Sequence, residues 1–129
     1  VSVDRRLAAF LQIAGEELGA ARSLAGVFPR QAAYLAQQAI EKVARAVLAH
    51  EGIPFGTSHN IGQMAAALPP DHPWRPKLAA FDHLSPAATS YRYPSPGGRL
   101  APAPPAAALK SDLDDIERLL GEARVAFKA

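Results

Sequence analysis

Apolar residues recur at three- and four-residue steps over long stretches of this chain, and nowhere do they alternate with polar ones in the two-residue rhythm of a strand. In the first stretch, from about Ser2 to Ala25, Leu7, Phe10, Leu11, Ala14, Leu18, Ala21 and Leu24 keep helical spacing, while Arg5, Glu16 and Arg22 fall mostly off that stripe. Gly26 and Pro29 end it and force a short turn. In the second stretch, Gln31–Gly52, Ala33, Ala36, Ile40, Val43 and Val47 form a buried stripe that Ala44 and Leu48 widen. Pro29 suits the first turn of this helix, where a missing N–H costs little, and Gly52 suits its end. So short a connection makes the two helices antiparallel neighbours. The small alanines let other helices approach closely, which predicts the central helix of a bundle. Gln37 and Gln38 fall within its apolar face region, so at least one amide is expected near the core with a hydrogen-bond partner there.

Beyond Gly52, IPFGTSHN reads as a loop feeding a third helix, capped by Thr57 or Ser58, with Ile61, Met64, Ala65 and Leu68 facing inward. The proline-rich PPDHPWRP breaks the chain, and a short fourth helix follows with Leu78, Phe81, Leu84 and Ala88 at helical intervals. TSYRYPSPGGRLAPAPP, with five prolines and two adjacent glycines between Pro94 and Pro105, excludes a regular element and predicts a long, mobile loop. In the last segment Leu109, Leu113, Ile116, Leu120, Ala123 and Phe127 again keep helical steps. Asp112, Asp114 and Asp115 precede Arg118, Arg124 and Lys128, an order that complements the helix dipole. The fold class expected is all-α, a single unit over residues 1–129: an up-and-down bundle of four main helices plus a short extra one.

Composition narrows the chemistry. With 129 residues the chain can bury one good core and not two. Apolar residues at 49% and charged ones at 20% place it among globular proteins. The absence of cysteine excludes disulfides, thiolate chemistry and Cys-based zinc sites, and fits a reducing compartment. Asp4, Arg5, Arg6, Glu16 and Glu17 interrupt the N-terminal region, against a signal peptide or a membrane span, so a cytoplasmic setting is expected. A net charge of +2 permits an anionic partner without demanding one.

Three stretches carry a resemblance to a known family. Tyr34-Leu35-Ala36-Gln37-Gln38-Ala39-Ile40-Glu41-Lys42, Thr57-Ser58-His59-Asn60-Ile61 and Thr89-Ser90-Tyr91-Arg92-Tyr93-Pro94 occur in the order and spacing of the HEPN domain. This is the helical module found beside minimal nucleotidyltransferases and in prokaryotic defence and toxin–antitoxin systems. The resemblance covers nearly the whole chain. It implies a homodimer, a nucleotidyltransferase partner protein, and a nucleotide- or RNA-binding role.

It also implies a ribonuclease motif to look for: an arginine and a histidine four to six residues apart near the start of the last major helix, acting without metal. Arg92 stands in the tempting position, but Gly97, Gly98 and Arg99 occupy the place of the histidine, and no histidine follows His83. The literal match, Arg45 and His50, sits on the central helix, where five residues turn the side chains about 140° apart. It reads as a decoy, and no catalytic residue is assigned. Arg92 remains the leading ligand-binding candidate, because a guanidinium fork suits phosphate oxygens and Tyr91 or Tyr93 can stack on a base. Arg99, on the glycine-rich part of the loop, can close over the same ligand. The competing reading pairs Arg92 with an acidic helix end and packs the tyrosines on the bundle.

Other residues read as structural. Glu41 and Lys42 form a solvated or inter-helix pair, His59 caps a helix start or packs, and Trp74 lids the bundle end or joins an interface. His50, His72 and His83 show no metal-ligand spacing, so neither metal nor other cofactor is expected. Three readings stay open: a binding module acting with a nucleotidyltransferase; a metal-independent ribonuclease toxin using Arg92, Tyr93 and one of the histidines; and a plain helical interaction module.

Overall fold

A computed structural model describes residues 2–128, with side chains from residue 5 onward. Val1 and Ala129, the ends of the expected 1–129 unit, lie outside the described residues. Among the described residues every regular element is helical: α1 (Ser2–Leu24), α2 (Pro29–His50), α3 (Ile61–Ala66), α4 (Trp74–Ala79), a single 3-10 turn (Asp82–Leu84), α5 (Ala87–Ser90) and α6 (Ala106–Phe127).

α2 is the axis of the molecule. It is packed by α1 and α6 along its length and by α3, α4 and α5 on the remaining side. Ala32, Ala36, Ala39, Ala44 and Ala46 are fully buried, so α2 meets its neighbours through small side chains rather than interdigitated large ones. α1 contributes Leu7, Leu11, Ala14, Leu18 and Ala21, and α6 contributes Leu109, Leu113, Ile116, Leu120 and Ala123, each at alternating four- and three-residue steps. The bundle is the all-α architecture the spacing predicts.

The boundaries follow local chemistry. Phe28 N–H donates to the Leu24 carbonyl at 2.7 Å, closing the α1–α2 turn, and Pro29 opens α2. At the far end Gly52 adopts φ +69°, and the Gly52 and Ile53 amides return to the Ala49 and Leu48 carbonyls. This is the paired arrangement that ends a helix on a left-handed glycine.

Two local expectations change. Thr57 and Ser58 do not cap α3; the Asn60 side chain does, accepting from Gln63 N–H at 2.8 Å, while Ser58 Oγ receives the Asn60 amide. The stretch from Leu78 to Ala88 is also not one helix. Leu78, Phe81, Leu84 and Ala88 are all buried as expected, but α4, the 3-10 turn and α5 divide the path between them. Pro86 has no N–H to donate, so a continuous helix would lose a bond there. The intervening turn instead offers side chains to the start of α3: Ser85 Oγ accepts from Ile61 N–H at 2.9 Å and Asp82 Oδ1 from Gly62 N–H at 2.9 Å.

No helix among the described residues is long and apolar enough to cross a membrane.

Candidate functional site

Tyr34, Gln38, Glu41 and Arg45 recur at four- and three-residue steps along α2 and define a polar face on an otherwise apolar helix. Two segments cross this face. Residues 56–60 lie over its C-terminal half, and residues 89–93 meet its N-terminal half.

At the N-terminal half, the exposed Arg92 guanidinium sits over two rings, 5.2 Å from the centroid of Tyr34 on α2 and 5.2 Å from that of Tyr93. Of the two sequence readings of Arg92, the pairing with an acidic helix end is not formed: no carboxylate lies within ion-pair distance of Arg92 among the described residues. Tyr91 turns inward, half-buried against the core, whereas Tyr93 is 59% exposed. The loop that follows is folded back on itself. Ser95 N–H donates to the Arg99 carbonyl at 2.8 Å, Arg99 N–H donates to Ser95 Oγ at 3.0 Å, and Gly98 takes φ +78° to close the turn. Arg30, in the first turn of α2, donates to the Ala101 carbonyl at 2.6 Å and ties the loop to the bundle. The result is a groove of about 460 Å³ whose walls include Ser90, Tyr93, Ser95 and Arg99. Of the four ligand-binding candidates, Tyr93 and Arg99 line this groove, Arg92 stands against Tyr93 beside it, and Tyr91 packs on the core instead.

Cations differ in whether a carboxylate meets them. Arg22, Lys42, Arg45, Lys77, Lys110 and Arg118 each hold a carboxylate. Arg92 and Arg99 hold none among the described residues, nor does Arg30, which is committed to the Ala101 carbonyl; Arg5, Arg6, Arg75, Arg124 and Lys128 are likewise without one elsewhere on the bundle.

At the C-terminal half of the polar face the solvated reading of Glu41 fails, while the inter-helix pairing expected there is made by Lys42. Glu41 is not solvated and does not pair with Lys42; it is 4% exposed and receives three donors. Gln37 Nε2 donates to Oε1 at 3.1 Å, Arg45 Nε to Oε2 at 3.0 Å, and His59 Nδ1 lies 2.8 Å from Oε1. Burial alone would push the Glu41 carboxyl up, but the hydrogen bonds from His59, Gln37 and Arg45 outweigh it and hold the group below its ordinary value. Lys42 instead reaches across to Glu17 on α1, with Nζ at 3.0 and 3.2 Å from the two carboxylate oxygens. Burial nevertheless raises Glu17 above its ordinary value, the Lys42 hydrogen bond offsetting only part of the effect. Gln37 is fully buried and Gln38 donates to it at 2.6 Å, so the amide expected in the core is there and partnered. No buried side-chain polar atom lacks a partner among the described residues.

Arg45 is fully committed: its other two nitrogens donate to the Gly56 and Ser58 carbonyls at 3.1 and 3.0 Å. His50 packs instead against the end of α6, its ring 4.6 Å from that of Phe127. The Arg45–His50 match is thus a coincidence of spacing. Trp74 does lid the bundle end, nearly buried and stacked on Phe127 at 5.7 Å. His59 is neither a cap nor core packing. It bridges the 56–60 loop to Glu41 with its ring about half exposed, beside a second groove lined by Asn60, Asp82, Ser85 and Thr89. No group of three or more His, Asp or Glu side chains positioned to hold a metal ion occurs among the described residues.

A family model for the HEPN domain matches residues 7–128 of the chain. No curated protein and no solved structure matches it significantly.

Proposed function

The chain belongs to the HEPN domain family, and from that premise we propose that it is a nucleotide- or RNA-binding module acting with a minimal nucleotidyltransferase in a toxin–antitoxin or defence-type pair. The observation that carries this reading is Arg92: a solvent-facing guanidinium free of carboxylates among the described residues, braced by Tyr34 and by Tyr93, which together with Arg99 lines the adjoining groove. A guanidinium held by aromatic faces keeps its N–H edges for an anion, and phosphate oxygens match that fork. Tyr93 offers a base a stacking surface.

The test is titration of labelled oligoribonucleotide and of nucleoside triphosphate into the protein. Arg92→Ala should weaken binding roughly ten- to hundredfold, the worth of one or two charge-assisted hydrogen bonds. Unchanged affinity would remove Arg92 from the site.

The same reading includes a homodimer. Val27, Phe28 and Leu100 are more than half exposed at one end of the molecule, and an apolar surface of that kind favours coverage by a partner. Sedimentation equilibrium at micromolar concentration should give twice the chain mass; monomer alone would contradict it.

A further inference from the structure

The groove beside His59 differs in chemistry from the groove beside Arg92. His59 Nδ1 faces an ionised, buried Glu41 oxygen at 2.8 Å, so the ring is oriented with its Nδ1–H donated inward. Nε2 is left on the open side, with no partner among the described residues. Across the groove stands Asp82. Its Oδ1 accepts from Gly62 N–H and from Ser85 Oγ–H, at 2.9 and 3.1 Å, which leaves Oδ2 free of partners among the described residues. Asp82 therefore gives the wall a negative charge, in a space of about 450 Å³. Such a groove repels phosphate and suits a neutral group rich in hydroxyls. A hydroxyl can satisfy Nε2 in either protonation state of the ring, because it both donates and accepts.

The two grooves adjoin. Thr89 lines both, and Tyr34, against Arg92, and Glu41, against His59, stand seven positions apart on α2, roughly 10 Å of helix rise. We infer that the pair is one composite site in which Arg92 and Arg99 hold phosphate while His59, oriented by Glu41, and Asp82 read a ribose hydroxyl. His59 is then a specificity-determining residue that separates RNA from DNA, the distinction a 2′-hydroxyl makes available. This inference rests on the phosphate-binding role proposed for Arg92.

The test compares a short oligouridylate with its 2′-deoxy counterpart, so that the base and the phosphates are the same. The wild-type protein should prefer the ribo form by roughly tenfold, the worth of one well-made hydrogen bond. His59→Asn keeps an amide N–H where Nδ1 donates to Glu41 but places nothing at Nε2. It should remove the preference by weakening the ribo form alone, with melting temperature and deoxy affinity preserved. Asp82→Asn, which retains an oxygen for the Gly62 amide, should reduce the preference independently if the His59 variant proves unstable. Equal wild-type affinity for the two forms, or a preference that survives both substitutions, would overturn the inference while leaving Arg92-dependent binding intact. Binding of neither form would overturn both readings together.

Discussion

Replacing Glu41 by Gln probes the polar face of α2 at its deepest point. The carboxylate is 4% exposed and accepts from Gln37, Arg45 and His59. A glutamine has one oxygen for two acceptor positions. Its best orientation keeps the oxygen toward His59 and Gln37 and turns the amide N–H₂ against Arg45 Nε, where two donors meet. Arg45 retains the Gly56 and Ser58 carbonyls, so one charge-assisted bond is lost, worth about 1.5–3 kcal/mol. Relief from burying a carboxylate offsets part of this, for a net loss of about 1–2 kcal/mol. For a chain of this length that is a fall of roughly 3–10 °C in melting temperature. The pH dependence supplies a second readout. Glu41 is held below its ordinary value in the folded state, so its contribution is complete above the unfolded carboxylate range and is lost as pH falls through the folded value. The gap between the two proteins in urea unfolding should therefore be widest at neutral pH and close in acid. A variant as stable as wild type at neutral pH, or a gap that persists after acidification, would refute the account of Glu41 as a buried, ionised acceptor.

Lys42→Met should destabilise at neutral pH by leaving Glu17 half-buried without its cation. Glu17 is raised when folded, so the folded state takes up protons more readily and the penalty should shrink as pH is lowered, read by the same unfolding series. Gly62→Ala would place a Cβ 2.6 Å from Asp82 Oδ1, displacing that carboxylate from the Gly62 amide at a cost of about 1–2 kcal/mol. Combined with Asp82→Ala, it should cost less than the sum of the two single changes. Ile116→Ala, at a fully buried position on α6, should lose about 2–5 kcal/mol by thermal unfolding.

Leu11, Ile40 and Ile116 announce their burial because helical spacing fixes which face each occupies, and all three lie at 1% exposure or less. Gly52 and Pro29 mark helix ends because their backbone restrictions are local. Glu41 is different. A charged residue beside a lysine reads as surface, and the 56–60 loop that brings His59 onto it arrives from beyond the turn at Gly52. His59 changes meaning with it, since its partner lies on another element. Its neighbour Asn60 was hidden by Thr57 and Ser58, which are equally good caps in isolation; the choice depends on where Ser85 and Asp82 come to rest. Arg92 was legible as a ligand candidate from its residue type and loop. Tyr34 was missed because a half-buried aromatic on the central helix carries no sign that a distant arginine will stack on it.

The central claim is that Arg92 and its aromatic brace form an anion-binding surface. Its most direct test is oligoribonucleotide binding by fluorescence anisotropy, comparing wild type, Arg92→Ala and Arg118→Ala at low and moderate salt. Arg118 is a suitable control because it is already paired with Asp115 one turn earlier on α6. The account predicts salt-sensitive binding that Arg92→Ala weakens by at least tenfold and Arg118→Ala leaves unchanged. Equal losses in the two variants would reduce the effect to general charge, and wild-type affinity in Arg92→Ala would contradict the site.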